Sequence, residues 1–338
     1  MSHYRLTCLT PTLVGDGSRL SPIDYMIWRD QVNVLDQNRI FRMLAKGPRL
    51  DSYLTQIRKA DRLKFAEWGG YAQNYAARRI PLENPSLARL WESARLESLH
   101  IPTFASGAQG PYLPASALKG ALRTAHIWAQ WRDRASPILE AAAKKLASDR
   151  APRRLAQGLE PAPAPWSLSD GRPEQAAFRI YYLRTALLES GLSWKDTAPS
   201  FLEMAAPGST FVGRIESRQP ADLRAAAGWS TALLEMHLAY AKAARLPALA
   251  ASLEGLRFKA ATLGSNACLL ALGWGTGFLS KAALLDTRQP AYRAILRALP
   301  LYAKAIQSGL PFPKTRRIVH VSDQPAALPG WVLLELTD

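Results

Sequence analysis

The sequence has 338 residues, 48% of them hydrophobic, and its 43 Lys and Arg outweigh 27 Asp and Glu to give a formal net charge of +16. That apolar fraction excludes a wholly disordered chain, and two cysteines, Cys8 and Cys268, are too few for a disulfide framework or a zinc cage built from CxxC pairs. With no apolar run of bilayer length, and no basic-then-apolar order between Met1 and Leu13, a cytoplasmic protein without membrane contact is the expectation.

From the N-terminus, Tyr4, Leu6 and Cys8 alternate with Arg5 and Thr7, the period of a half-buried strand that stops by Pro11. Gly15 and Gly17 flank Asp16 in a loop. Asp24–Trp28 and Gln31–Leu35 read as a hairpin around Arg29 and Asp30, and Asp36 as the cap of a helix through Ile40, Phe41 and Leu44. Residues 51–100 are rich in charge and broken at Gly69, Gly70, Pro81 and Pro85; they read as a largely helical insertion. A loop at Gly107–Pro111 leads into a helix with Ser116 as its natural cap. Leu118, Ala121, Leu122, Ala125 and Trp128 form its apolar stripe, and Lys119, Arg123, His126 and Gln130 lie on another face. A second helical stretch, Pro137–Leu155, precedes the Pro/Ala/Gly-rich tract Gln157–Pro173, which suits a linker.

Beyond it, Phe178–Leu183 reads as a strand, and Ser200–Ala205 with Thr210–Ile215 as a hairpin turning at Pro207 and Gly208. An Ala/Leu-rich helical insertion covers about 221–256. Cys268–Leu272 is a short apolar strand running into the loop Gly273–Gly277; a helix over Ala291–Gln307 and strands at Lys314–Val319 and Trp331–Leu336 complete the chain. Strand, hairpin and helix on both sides of a linker predict an α+β protein of two ferredoxin-like halves, 1–156 and 174–338, joined by 157–173 and carrying helical insertions.

The charge favours a polyanion, because phosphate contacts release condensed counterions; a generally basic proteome is the competing explanation. Two segments suit phosphates. The helix start at Ser116 sets free amides beside Lys119, Gly120 and Arg123, although an ordinary capped helix with solvated basic residues fits equally well. The loop Gly273, Trp274, Gly275, Thr276, Gly277, followed by Lys281, has GxGxG spacing rather than GxGxxG, Asp286 falls too early for a ribose contact, and no GxxxxGK[ST] is present. Dinucleotide and ATPase readings therefore fail, no cofactor is expected, and a main chain that approaches RNA competes with a purely structural glycine turn. Trp274, Phe278 and Tyr112 are the aromatics beside basic loops, where they could stack on bases. Lys314, Arg316 and Arg317 add a basic strand end. None of His3, His100, His126, His237 and His320 forms a metal pair, and Asp24 alone is an ordinary turn residue, so no catalytic or metal-binding residue is expected.

The segments 9–17 (LTPTLVGDG) and 20–25 (LSPIDY), Tyr112–Arg123, Leu272–Lys281, Phe312–Arg317 and Pro329–Val332 occur in an order that resembles the RAMP superfamily of CRISPR proteins, and within it the subunits that cap the guide RNA's 3′ end in type III-A Csm complexes. The resemblance implies tandem ferredoxin-like folds, contact with the 3′ part of the crRNA, and a place at the head of the backbone filament beside a neighbouring RAMP subunit and other Csm subunits. Target RNA and host trimming nucleases are further candidate partners. It implies assembly and crRNA maturation rather than cleavage, with a RAMP endoribonuclease as the alternative. One departure stands out: Ser116 lies between Ala115 and Ala117, without a second serine beside it. The RNA-binding residues expected are Gly15, Gly17, Ser116, Lys119, Gly120, Arg123, Gly273, Trp274, Gly275, Thr276, Gly277, Lys281, Lys314, Arg316 and Arg317.

Overall fold

A computed structural model describes residues 2–47, 49–59, 74–131, 166–217, 223–281 and 307–337, together with 293, 297 and 303. β1 (Ser2–Cys8) buries Tyr4, Leu6 and Cys8 and exposes His3 and Arg5, as its alternation predicts. After the short β2 (Arg19–Leu20) comes the expected hairpin of β3 (Tyr25–Trp28) and β4 (Gln31–Leu35), with Arg29 at φ 59° in its turn. Asp36 accepts from the Arg39 N–H (3.0 Å) and caps α1 (Gln37–Leu44), and α2 (Leu50–Lys59) follows.

The region 51–100 is less helical than expected. β5 (Ala76–Pro81) pairs with β4 and completes a three-stranded sheet. Arg78 and Arg79 conceal this strand in the sequence; Arg78 forms two hydrogen bonds (2.8 and 2.9 Å) with the buried Glu203 carboxylate, which holds the small sheet onto the main body. α3 (Leu87–Ser93) and a 3₁₀ turn then reach β6 (Ile101–Pro102), which pairs with β2. β7 (Ser106–Gly107) and β8 (Gly110–Pro111) form a small hairpin before α4 (Ala115–Trp131).

The helix expected over Pro137–Leu155 lies outside the described residues, as does 157–165. The remainder of the supposed linker holds strands: β9 (Trp166–Leu168) and the start of β10 (Arg172–Gln175), both against β14 (Thr210–Ser217). All four residues of β10 are exposed, and Pro173 is tolerated at such an edge, so its composition looked like a linker. β11 (Phe178–Leu188) is eleven residues long, and β12 (Leu192–Lys195) and β13 (Phe201–Ala205) both pair with it. The turn at Pro207 and Gly208 exists, but β13 and β14 do not form a hairpin. The end of β1 inserts at the turn, with Gly208 N–H bonded to Cys8 O and Cys8 N–H to Ser209 O (both 2.8 Å), and the two strands enter different sheets.

α5 (Arg224–Ala243) and α6 (Pro247–Thr262) occupy the stretch expected as an insertion, followed by β15 (Ala267–Ala271). β16 (Thr315–Val321), β17 (Gln324–Ala327) and β18 (Trp331–Thr337) close the chain; the helix expected over 291–307 falls almost wholly outside the described residues. One sheet has the order β10-β14-β1-β18-β15 with β9 on β14, and the other β12-β11-β16-β17 with β13 on β11. The chain is α+β, but its halves share a sheet, since β1 lies between strands from the second half.

Two cores result. Tyr4, Leu6, Phe211, Leu270 and Leu334 of the first sheet meet Leu183, Leu202, Met204 and Val319 of the second, with Leu118, Leu122 and Ala125 of α4 alongside. Leu233, Leu238, Leu249 and Leu253 of α5 and α6 pack on Leu269, Trp331, Leu333 and Ile318. The two helices are thus structural core and not an appendage, with fully buried leucines that would each contribute about 1.5–3 kcal/mol relative to exposure. Cys8 and Cys268 are free and buried, and burial pushes both thiols up to about 12, so they stay protonated. Among the described residues no helix is long and apolar enough to cross a membrane.

Candidate nucleic-acid interface

A groove of about 850 Å³ runs between the N-terminal loop, α4 and the glycine loop. Gly15 and Gly17 line one side, Ser116 and Gly120 of α4 another, and Gly273, Trp274, Thr276 and Lys281 a third. Three segments separated by some hundred residues or more thus enclose one groove. A second groove of about 580 Å³ lies beyond the glycine loop and shares Trp274, Thr276 and Lys281 with the first.

The glycine loop is held by its own bonds. Trp274 N–H donates to Leu13 O (2.7 Å), Thr276 Oγ1 to Gly273 O (3.0 Å), and Ser280 Oγ to Thr276 Oγ1 (2.9 Å). Gly273 has φ +88°, and a Cβ there would sit 2.3 Å from Leu13 O, so this glycine serves loop-on-loop packing rather than a ligand. Gly275 likewise abuts Pro329. Gly277 faces open space. On the facing loop, Asp16 Oδ1 accepts from Ser18 N–H (2.8 Å), and hydrogen bonding by the Ser18 side chain and then its main chain holds the carboxyl below the usual range.

The α4 expectations change in three ways. Ser116 is not the cap: the helix begins at Ala115, whose N–H donates to Asp170 Oδ1 (2.7 Å), so a carboxylate already stands where a phosphate was expected. Gly120 is the sixth helical residue rather than part of the first turn, and the space beside it is open, leaving bare helix backbone against the groove. Lys119 and Arg123 line neither groove. Lys119 is exposed, and Arg123 is half-buried with its Nε lacking a hydrogen-bond partner.

The basic run at 314–317 divides residue by residue. Lys314 Nζ pairs with Glu189 (2.6 Å). Arg316 is buried: Nε donates to His237 Nδ1 (3.1 Å), Nη1 to Pro313 O and Thr315 O, Nη2 to Phe312 O (3.5 Å), and the guanidinium lies 4.5 Å from the Tyr240 ring centre. Burial brings it down to about 10, so it remains charged at neutral pH, while burial and then Arg316 hold His237 well below its ordinary value. With four of its five N–H groups bonded to protein, Arg316 serves as a structural strut. Arg317 lies 4.2 Å over Trp274 and lines the second groove, with no hydrogen-bond or ion-pair partner among the described residues.

Phe278 also lines the second groove and packs edge-on against Phe312; Tyr112 lines a separate cavity with His3, Arg172 and Arg214. Asp24 Oδ2 accepts from Ser21 N–H (2.7 Å) in a turn, and His126 Nε2 is 2.9 Å from Gln130 Nε2; neither lines a groove. Arg19 and His100 do line the larger one, and His100 Nδ1 is buried without a partner. Sequence reasoning missed both, because only the β2–β6 pairing brings residue 19 beside 102. No group of three His, Cys, Asp or Glu suited to a metal occurs among the described residues.

No protein-family model matches this sequence, and no curated protein matches it. Solved structures do. A chain in a cryo-EM structure of a Csm-crRNA-target RNA ternary complex of a type III-A CRISPR-Cas system superimposes with a TM-score of 0.69 at 19% identity, covering 99% of this chain and 100% of that one. A crystal structure of T. onnurineus Csm5 gives 0.63 at 18% identity over 97% and 99%. At such identity the likeness is one of fold, and it extends over nearly the entire chain.

Proposed function

We propose that this chain is an RNA-binding subunit of a type III-A CRISPR complex that holds the 3′ part of the crRNA at the head of the backbone filament and does not cut it. The observation that carries this is the convergence of the N-terminal loop, α4 and the glycine loop on one groove, with the Lys281 and Arg317 side chains on its shared rim and in the adjoining pocket, neither in a hydrogen bond or ion pair with protein among the described residues. The net charge of +16 and the end-to-end fold likeness to Csm subunits support the same reading. Backbone exposed at Gly120 and Gly277 lets a sugar-phosphate chain come close, while Lys281 offers a point charge to a phosphate. Neighbouring Csm subunits would share the RNA, and host nucleases would trim what extends beyond it.

Cleavage would need a positioned general base or clustered carboxylates holding metal. His100 and Glu97, both in the lining of the larger groove, favour the endoribonuclease alternative. Purified wild type, Asp24→Ala, His100→Ala and His126→Ala are to be incubated with end-labelled guide and target RNA, with Mg²⁺ or Mn²⁺ or EDTA. Binding without cleavage is expected throughout; cleavage by wild type that vanishes in one variant would establish the nuclease instead.

A further inference from the structure

The smaller groove has a lining that points to what it would select. We propose that it is a base-selective pocket that takes one unstacked guanine of the bound strand, with Arg317 as the selecting residue. This rests on the RNA-binding reading above and deepens it.

Its volume, about 580 Å³, falls within the range of about 300–1,000 Å³ typical of small-ligand sites. Trp274, Thr276 and Lys281 belong to both grooves, so a strand lying in the larger one crosses the mouth of the smaller. Phe278, Leu279, Leu328 and Pro329 give the pocket the apolar surface that a base removed from its stack requires.

The polar lining is one-sided. Arg317 and Lys281 carry donors only, the Thr185 and Thr197 hydroxyls bond each other (2.7 Å), the Thr315 hydroxyl can donate or accept, and no Asp or Glu is present. Arg316 is also there, but four of its five N–H groups are spent on His237 and main-chain carbonyls. Arg317 differs: its guanidinium is oriented by the Trp274 ring at 4.2 Å, and its N–H groups have no protein acceptor among the described residues. A fixed fork of donors calls for two adjacent acceptors on one ligand edge. Guanine offers O6 and N7 side by side, the geometry that arginine reads bidentately. Adenine sets its exocyclic amine between N1 and N7 and has no two adjacent acceptors; cytosine has O2 and N3 side by side, but on a single ring with less surface to bury. The carbonyls of uracil are separated by an N–H. The expected order is guanine first, cytosine second, uracil third and adenine last.

The test uses the full chain and a fluorescein-labelled strand of twelve adenosines, compared by anisotropy with the same strand carrying one central guanosine, uridine, cytidine or 7-deazaguanosine. A single guanosine should tighten binding at least about fivefold, the low end for a bidentate arginine contact. Replacing its N7 with carbon should remove the gain without altering the protein. Arg317→Lys should also remove it, so that the variant binds the guanosine strand no tighter than the all-adenosine strand. Equal binding of all the strands by wild type overturns the pocket but leaves RNA binding intact. So does a guanosine gain that survives both the 7-deaza strand and Arg317→Lys. Equal weakening of every strand by Arg317→Lys and Arg317→Ala, with no guanosine gain in wild type, makes Arg317 a phosphate contact only. If no strand binds, the RNA-binding reading fails and the pocket fails with it.

Discussion

Two glycines of the groove have opposite physical roles. At Gly273 the positive φ and the approach to Leu13 O leave no room for a Cβ, so Gly273→Ala should destabilise the fold by about 1–3 kcal/mol and disturb the wall that carries Lys281. At Gly120 the backbone is helical and the neighbouring space empty, so Gly120→Ala should stabilise by up to about 1 kcal/mol. The added methyl group projects into the groove and should weaken RNA binding all the same. Urea titration of both variants checks the opposite signs, and anisotropy the loss of affinity. His237 provides a pH test. Its folded value lies well below 6.5 through burial and then Arg316, so on acidification the unfolded chain takes the proton first. Its contribution is therefore full above pH 6.5 and lost as pH falls, by at most about 1.4 kcal/mol per pH unit for one proton. His320, lowered in the same direction, adds to that trend, whereas Glu83 and Glu203, raised mainly by burial, oppose it. The difference between wild type and His237→Gln at pH 8, 6.5 and 5 isolates the one ring, and it should shrink toward acid.

Among the elements, the glycine loop and α4 make different demands on charge. Lys281→Ala should weaken single-stranded RNA binding and reduce the magnitude of the log–log salt slope by about 0.7, the value of one phosphate contact. Lys119→Ala with Arg123→Ala should cost less affinity, because neither residue lines a groove. The sequence disclosed β1, β4, β15 and β18 through alternation or continuous apolar runs, and also the loop lining on both sides of the site. It concealed what depends on distant partners. β5 carries two arginines, and its place becomes intelligible only once Arg78 meets Glu203, 125 positions away. The α4 cap comes from Asp170, 55 positions beyond Ala115, so the nearby Ser116 was a misleading signal. Arg316 and Arg317 look alike in a basic run; both line the second groove, but Arg316 is buried and bonded to His237 and main-chain carbonyls, whereas Arg317 lies over Trp274 with no hydrogen-bond partner among the described residues.

For the whole molecule, a net charge of +16 should give RNA affinity that falls steeply between 50 and 200 mM salt with weak dependence on sequence apart from the pocket base, measured as the slope of log affinity on log salt. A slope near zero would mean that the charge serves something other than RNA. The strand order has a different kind of consequence. β1 pairs on one side with β14 and on the other with β18, His3 standing opposite Thr337. During translation β1 leaves the ribosome early and waits for nearly the whole chain before its second neighbour arrives. β18 also bridges β1 to β15, so until it emerges both of those strands present a bare hydrogen-bonding edge. A polypeptide released prematurely before Trp331 would keep both edges and should aggregate at concentrations where the completed chain stays dispersed. The last strand thus acts as a checkpoint on synthesis: only a fully translated chain can hide its own sticky edges.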